Sequence, residues 1–143
     1  MNEQEEQEKI VSASMADFDT TTNSTEGVEI ELMLPDGTKT DKTITIRGAD
    51  AVEYRKAQAR ISRIHVDRMR KNKGKDIDAG VLHIQQIKEQ RELTARLVCD
   101  WNFDEECTHE NVCKFFESAP AIQEQVDSFA GDRENFFNKP SEN

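Results

Sequence analysis

The chain is 143 residues long, 35% hydrophobic and 34% charged, with a formal net charge of −10. That is one domain's worth of sequence with a small core, and no apolar run approaches the roughly 20 residues that span a bilayer. The N-terminus, MNEQEEQEKI, reverses the positive-then-apolar order of a signal peptide, so the sequence predicts a soluble, cytosolic protein whose three cysteines are free thiols rather than a disulfide framework.

The charge is unevenly placed. Residues 1–27 hold seven acidic groups and one basic, residues 51–75 nine basic and two acidic, and residues 101–143 ten acidic and three basic. The order along the chain is acidic, basic, acidic.

Residues 1–26 mix Glu, Gln, Ser and Thr, with Ile10, Val11, Met15 and Phe18 too sparse to build a core. They are expected to form a disordered acidic arm, and docking of its few apolar residues on a partner stays open. At 28–34 Val28, Ile30, Leu32 and Leu34 alternate with Glu29, Glu31 and Met33, the period of a strand with one buried face. Pro35-Asp36-Gly37 is turn chemistry, and KTITI at 42–46 resumes the alternation, which predicts a β-hairpin over 28–46. Two strands alone are marginal in water, so their apolar face needs cover.

Asp50 is placed to cap a helix over about 51–71, in which Val52, Ala59, Ile61, Ile64, Val66 and Met69 are interleaved with Arg55, Lys56, Arg60, Arg63, Arg68 and Arg70. KNKGKD at 71–76 breaks the pattern. A second helix is expected over about 78–100, with Val81, Ile84, Ile87 or Lys88, Arg91, Ala95, Val98 and Trp101 near helical spacing, antiparallel to the first. Thr108 and Asn111 read as the start of a short helix over 109–118 whose apolar face is Val112, Phe115 and Phe116. Ser118 and Pro120 then cap and open a helix over 120–130 carrying Ile122, Val126 and Phe129, Gly131 ends it, and DRENFF makes a last turn that buries Phe136 or Phe137. The expected architecture is α+β, mainly α: one domain over 27–137, an N-terminal β-hairpin followed by about four helices, with a frayed end at 138–143.

Cys107, His109 and Cys113, with Cys99 upstream, are the soft ligands that zinc would want, but one residue separates Cys107 from His109, Cys113 falls inside a helix, and no C-x-x-C knuckle occurs. Neither a metal nor another cofactor is expected. His109 and Cys113 at i, i+4 are the nearest approach to a nucleophile and base, and Glu105, Glu106 and Glu110 around them disfavour a thiolate. His65 and His83 lie in separate helices without an identifiable partner. With no glycine-rich phosphate loop, no G-x-S-x-G and no H-E-x-x-H, the sequence predicts no catalytic residues and no enzyme.

The basic segment 51–75 has three readings: a solvated face neutralised by acidic neighbours, a docking surface for an acidic protein, or a footprint for nucleic acid. Aromatic residues do not interleave it beyond Tyr54, which favours the first two. Trp101 and the phenylalanines fit a core, with some of them left over for a partner.

The segment WNFDEECTHENVCKFFESAPAIQEQVDSFAGDRENFF, residues 101–137, resembles the ending of the tail assembly chaperones of long-tailed, siphovirus-type bacteriophages. In those proteins a tryptophan closes a helix, and a T-x-E-N helix start, an I-x-E-Q-V-D helix and a D-R-x-N-F terminus follow. The matching positions are Trp101; Thr108, Glu110 and Asn111; Ile122, Glu124, Gln125, Val126 and Asp127; and Asp132, Arg133, Asn135 and Phe136. TITIRGADAVEYRKAQAR upstream is similar to the strand-to-helix passage of the same family at Arg47, Gly48 and Tyr54, so the resemblance covers about residues 42–137. The three cysteines are not part of the family pattern, and the acidic arm lies outside the covered stretch.

The resemblance implies a non-enzymatic chaperone that binds the tape-measure protein, keeps its hydrophobic helices soluble, helps recruit tail-tube subunits, works in the cytoplasm of the infected host and is absent from the mature virion. The partner surface is expected at Trp101, Phe103, Phe115, Phe116 and Phe129 and at the basic face of the first long helix, Arg55, Arg60 and Arg63. Self-association is left open, and no membrane is expected. The competing expectation is a small phage regulatory or nucleic-acid-binding protein acting through the basic helix.

Overall fold

The computed structural model describes residues 10–73 and 78–137. The first nine residues of the expected arm, most of the inter-helix connection and the expected frayed end lie outside the described residues. The fold is mainly helical α+β, a three-stranded antiparallel sheet covered by helices.

The hairpin forms as expected, with β1 at Val28–Met33 and β2 at Lys39–Ile46. Val28 pairs with Ile46 and Ile30 with Ile44, which stacks the β-branched residues on one face. The turn closes through Gly37 N donating to Leu34 O at 2.8 Å and Leu34 N to Thr38 O at 2.9 Å, with Gly37 at φ +87°, the left-handed region glycine enters without strain. Leu34, expected on the buried face, falls in this turn and is exposed.

The sheet has a third strand where the sequence predicts helix. β3, Val98–Trp101, pairs with β2 through Ile44–Trp101, Thr45–Asp100 and Ile46–Val98, giving the order β1-β2-β3. Trp101 therefore ends a strand, not a helix. Val98 and Trp101, three apart, match the helical period and not the two-residue period of a strand; the free edge of β2 decides for the strand. This strand also supplies part of the hairpin's missing cover.

α2 runs Val52–Lys71 and α3 Ala79–Ala95. Asp78 caps α3 by accepting from Gly80 N at 2.8 Å. Asp50, by contrast, does not cap α2. Ala51 occupies that position without a side-chain bond, and the Asp50 carboxylate turns to Arg55 and Arg133 instead. α4, His109–Ser118, starts at Thr108, whose hydroxyl accepts from Asn111 N at 3.1 Å. α5, Pro120–Gly131, takes Pro120 in its first turn as expected, but Ser118 does not cap it: that hydroxyl bonds back to Phe115 O at 3.1 Å and Ala119 stands at the cap.

The core lies between the sheet and α3–α5. Ile44, Ile46, Leu97, Val112, Phe116 and Val126 are at most 1% exposed, with Leu32, Tyr54, Ala95, Val98 and Ala130 around them. Each large apolar side chain so buried is worth about 1.5–3 kcal/mol.

Part of the expected arm is structured. Residues Thr21–Glu26 form a short helix, α1, whose Ser24 is fully buried. Ser24 O accepts from Gly48 N at 3.0 Å, and the Asn23 amide donates to Phe136 O at 3.0 Å. Few apolar residues are involved, so hydrophobic pattern does not reveal the contact. Ahead of α1, Ile10, Met15 and Phe18 stand exposed.

Candidate functional site

The surroundings of the cysteines disfavour the thiolate form. Burial pushes Cys107 up to about 11, with the Asp100 charge adding to it. Burial likewise raises Cys99, and Cys113 with help from Glu92 rather than from Glu105, Glu106 or Glu110. His109 is pushed down by burial and by Arg96, and its Nε2 lies 3.7 Å from Cys113 Sγ. A neutral imidazole beside a neutral thiol is not an activated nucleophile. Among the described residues no group of three or more His, Cys, Asp or Glu is arranged to hold a metal ion.

An aromatic cup lies where β3 runs into α4. Trp101 meets Phe103 edge-on at 5.2 Å between ring centres and Phe115 at 5.9 Å, and Phe103 meets Phe115 at 5.1 Å. These are the edge-to-face arrangements favoured by ring quadrupoles. All three side chains are half-buried. They line an open cleft of about 380 Å³ with Glu105, Asn111, Lys114 and Ser118.

The cup is held by its backbone connections. Trp101 Nε1 donates to Glu105 O at 2.7 Å, and the Asn111 amide to Glu106 O at 2.8 Å. Asn102 ties the loop to β2, accepting from Thr43 N and donating to Asp41 O, each at 2.8 Å. Lys42, unnoticed in the sequence because it precedes the apolar part of its strand, places Nζ 5.8 Å from the Phe103 ring centre.

The five aromatic residues expected to form one partner surface are thus divided. Phe116 is 1% exposed and belongs to the core. Phe129 lies on α5 against Phe136, ring centres 5.6 Å apart, beside Gln125, Ser128, Asp132 and Asn135. Trp101, Phe103 and Phe115 are brought together at the surface, with Phe116 buried behind Phe115, ring centres 6.2 Å apart. Of the basic residues, Arg60 and Arg63 stand exposed on α2, while Arg55 donates to Asp50 at 2.8 Å. Part of the charge of α2 is taken up inside the fold, by Asp50 and by Glu89, which accepts from Arg68 at 2.5 Å.

The motif residues of the C-terminal half turn out to be architectural. Thr108 caps α4 and Asn111 closes its loop. Val126 and Phe136 are core residues, and Asp127 is exposed near Tyr54, whose hydroxyl is raised first by burial and then by that charge. Asp132 accepts from Glu134 N at 3.1 Å, Asn135 donates to Phe129 O at 3.0 Å, and Arg133 grips Asp50. A Cβ on Gly48 would come within 2.8 Å of Ser24 Cβ and 3.1 Å of Phe136, so this position admits only glycine without movement.

No helix among the described residues is long and apolar enough to cross a membrane. A family model described as phage tail assembly chaperone matches residues 15–130. No curated protein and no solved structure matches the chain.

Proposed function

The chain belongs to the phage tail assembly chaperones, a non-enzymatic family, and we propose that it binds the tape-measure protein and helps recruit tail-tube subunits while the tail is built. It acts in the cytoplasm of the infected host and leaves before the virion is complete. The observation that carries this reading is the aromatic cup. Three half-buried rings are held together at the surface of a domain that packs Tyr54, Phe116 and Phe136 inward. A shallow apolar cleft with a polar rim takes an apolar side chain from a helix and releases it again, which is what a chaperone for long hydrophobic helices needs.

The exposed basic face of α2, with Arg60 and Arg63, supplies charge for encounter, while the net charge of −10 keeps the chaperone itself from aggregating. Co-expression tests the reading: with this chain present, the tape-measure protein of the same phage moves from the insoluble to the soluble fraction. No change in its solubility counts against tape-measure binding.

A further inference from the structure

The outer half of the α2–α3 hairpin is a surface that the aromatic cup does not use. α2 buries only Tyr54 and Ala57, near its start, and α3 only Thr94 and Ala95, near its end. Beyond those residues the two helices enclose a cleft of about 480 Å³ lined by Ile61, His65, Val66, Gln86, Glu89 and Leu93 among others. Val66 is 55% exposed, and Ile87, which follows Gln86, is 46% exposed. The sequence predicts Val81, Ile84 and Ile87 as a packed face, but all three are exposed.

Two further features bear on what would fill the cleft. The first is charge: α2 carries seven basic residues against two acidic, α3 two of each, and Arg63 and Arg70, two turns apart, share the side of α2 that carries Val66. The second is a surplus of donors. Glu89 accepts from Arg68 Nη2 and lies 3.7 Å from His65 Nδ1, while Arg68 Nη1 is shielded from solvent with no hydrogen-bond partner among the described residues. Buried donors without acceptors favour an arriving acceptor.

We infer that the open half of the α2–α3 hairpin receives one amphipathic helix with acidic flanks. Its apolar stripe lies along Ile61, Val66 and Leu93, adding a third helix to the pair, and its carboxylates face Arg63 and Arg70 and the spare Nη1 donor of Arg68. A basic or uncharged helix of the same apolar pattern would leave those groups unmatched. The inference deepens the chaperone reading by giving the chemistry of a second client contact, and it rests on that reading only for the identity of the client.

The test uses the full chain and two labelled peptides of about 20 residues, the length of α2, with one apolar stripe and either Glu or Lys at the polar positions. In anisotropy titrations the acidic peptide binds about tenfold tighter or better at low salt, and the gap narrows as salt rises. Val66→Glu, at an exposed site, abolishes that preference, while Met33→Glu, at an exposed site on β1, leaves it unchanged. Equal binding of the two peptides, no binding of either, or an unaffected Val66→Glu variant overturns the inference. So does a dimer in sedimentation that Val66→Glu splits, since the occupant is then a second copy. If the acidic peptide binds but the tape-measure protein is not solubilised, the chaperone reading fails alone; the reverse pair of results sinks only the inference drawn from the hairpin.

Discussion

Arg133 holds Asp50 through two parallel hydrogen bonds, Nε to Oδ2 at 2.8 Å and Nη2 to Oδ1 at 3.0 Å, between residues 83 apart in the chain. The Asp50 carboxylate also accepts from Arg55 Nη2 at 2.8 Å, and its side chain is 8% exposed. The last turn of the domain is thereby fastened to the start of α2, directly beside the contact between α1 and Phe136. The resemblance singles out Arg133 as a motif residue; its partner explains why an arginine is useful there, since only a planar fork matches both carboxylate oxygens.

This clamp has a pH signature. The Arg133 hydrogen bonds, aided by Arg55 and opposed by burial, lower the Asp50 carboxyl from 3.8 to about 2. A carboxyl lowered by folding contributes stability above its ordinary value and loses it as pH falls through the folded value. Asp50→Asn therefore has a lower urea midpoint than the parent at neutral pH, and the two curves converge as pH drops from 3.8 through about 2. A constant gap across that window would contradict the clamp.

A core phenylalanine and a cup phenylalanine are expected to differ in what their removal costs. Phe116→Ala opens a cavity in the core and costs about 3–5 kcal/mol. Phe103→Ala, at the half-buried cup, costs about 1–2 kcal/mol and keeps the far-ultraviolet circular dichroism of the parent. Chemical denaturation measures both, and similar losses would mean that the cup is part of the core.

Gly48→Ala forces the new methyl against Ser24 and Phe136, and overpacking of this kind costs about 1–3 kcal/mol. The strain falls on the docking of α1, so exchange of the amide at position 48, which donates to Ser24 O in the parent, quickens more than exchange in β2. Ser24→Gly in the same chain recovers part of the loss. Unchanged exchange at position 48 would show that α1 is not held there.

The thiols provide a negative control. With Cys107 pushed up to about 11 by burial and Cys99 and Cys113 also raised, alkylation of the folded chain at neutral pH is slow at all three sites and accelerates on unfolding in urea. A fast-reacting thiol in the folded protein would reopen the catalytic reading.

Local chemistry was legible in the sequence wherever the deciding partner lay a few residues away. The hairpin over 28–46, the Thr108 cap and Pro120 in the first turn of α5 all follow from adjacent residues, and all three form. Features decided by distant partners were not legible. Asp50 reads as a cap because Arg133 is 83 residues away, and Val98–Trp101 reads as helix because the edge of β2 is more than 50 residues back. α1 docks through backbone and amide bonds that leave no hydrophobic pattern. At the candidate site, Phe115 and Phe116 are indistinguishable by composition, and only the direction in which α4 presents each separates cup from core.

The role proposed for the cup of Trp101, Phe103 and Phe115 is to hold tape-measure protein. The most direct measurement is the amount of tape-measure protein that co-purifies with the tagged chain and with its Phe103→Ala variant, expressed at equal levels and both verified as folded. The account predicts a soluble complex with the parent chain and at least about a tenfold loss with the variant, a change of about 1.4 kcal/mol in binding. Equal recovery with both would contradict a role for the cup, and no recovery with either would contradict tape-measure binding itself.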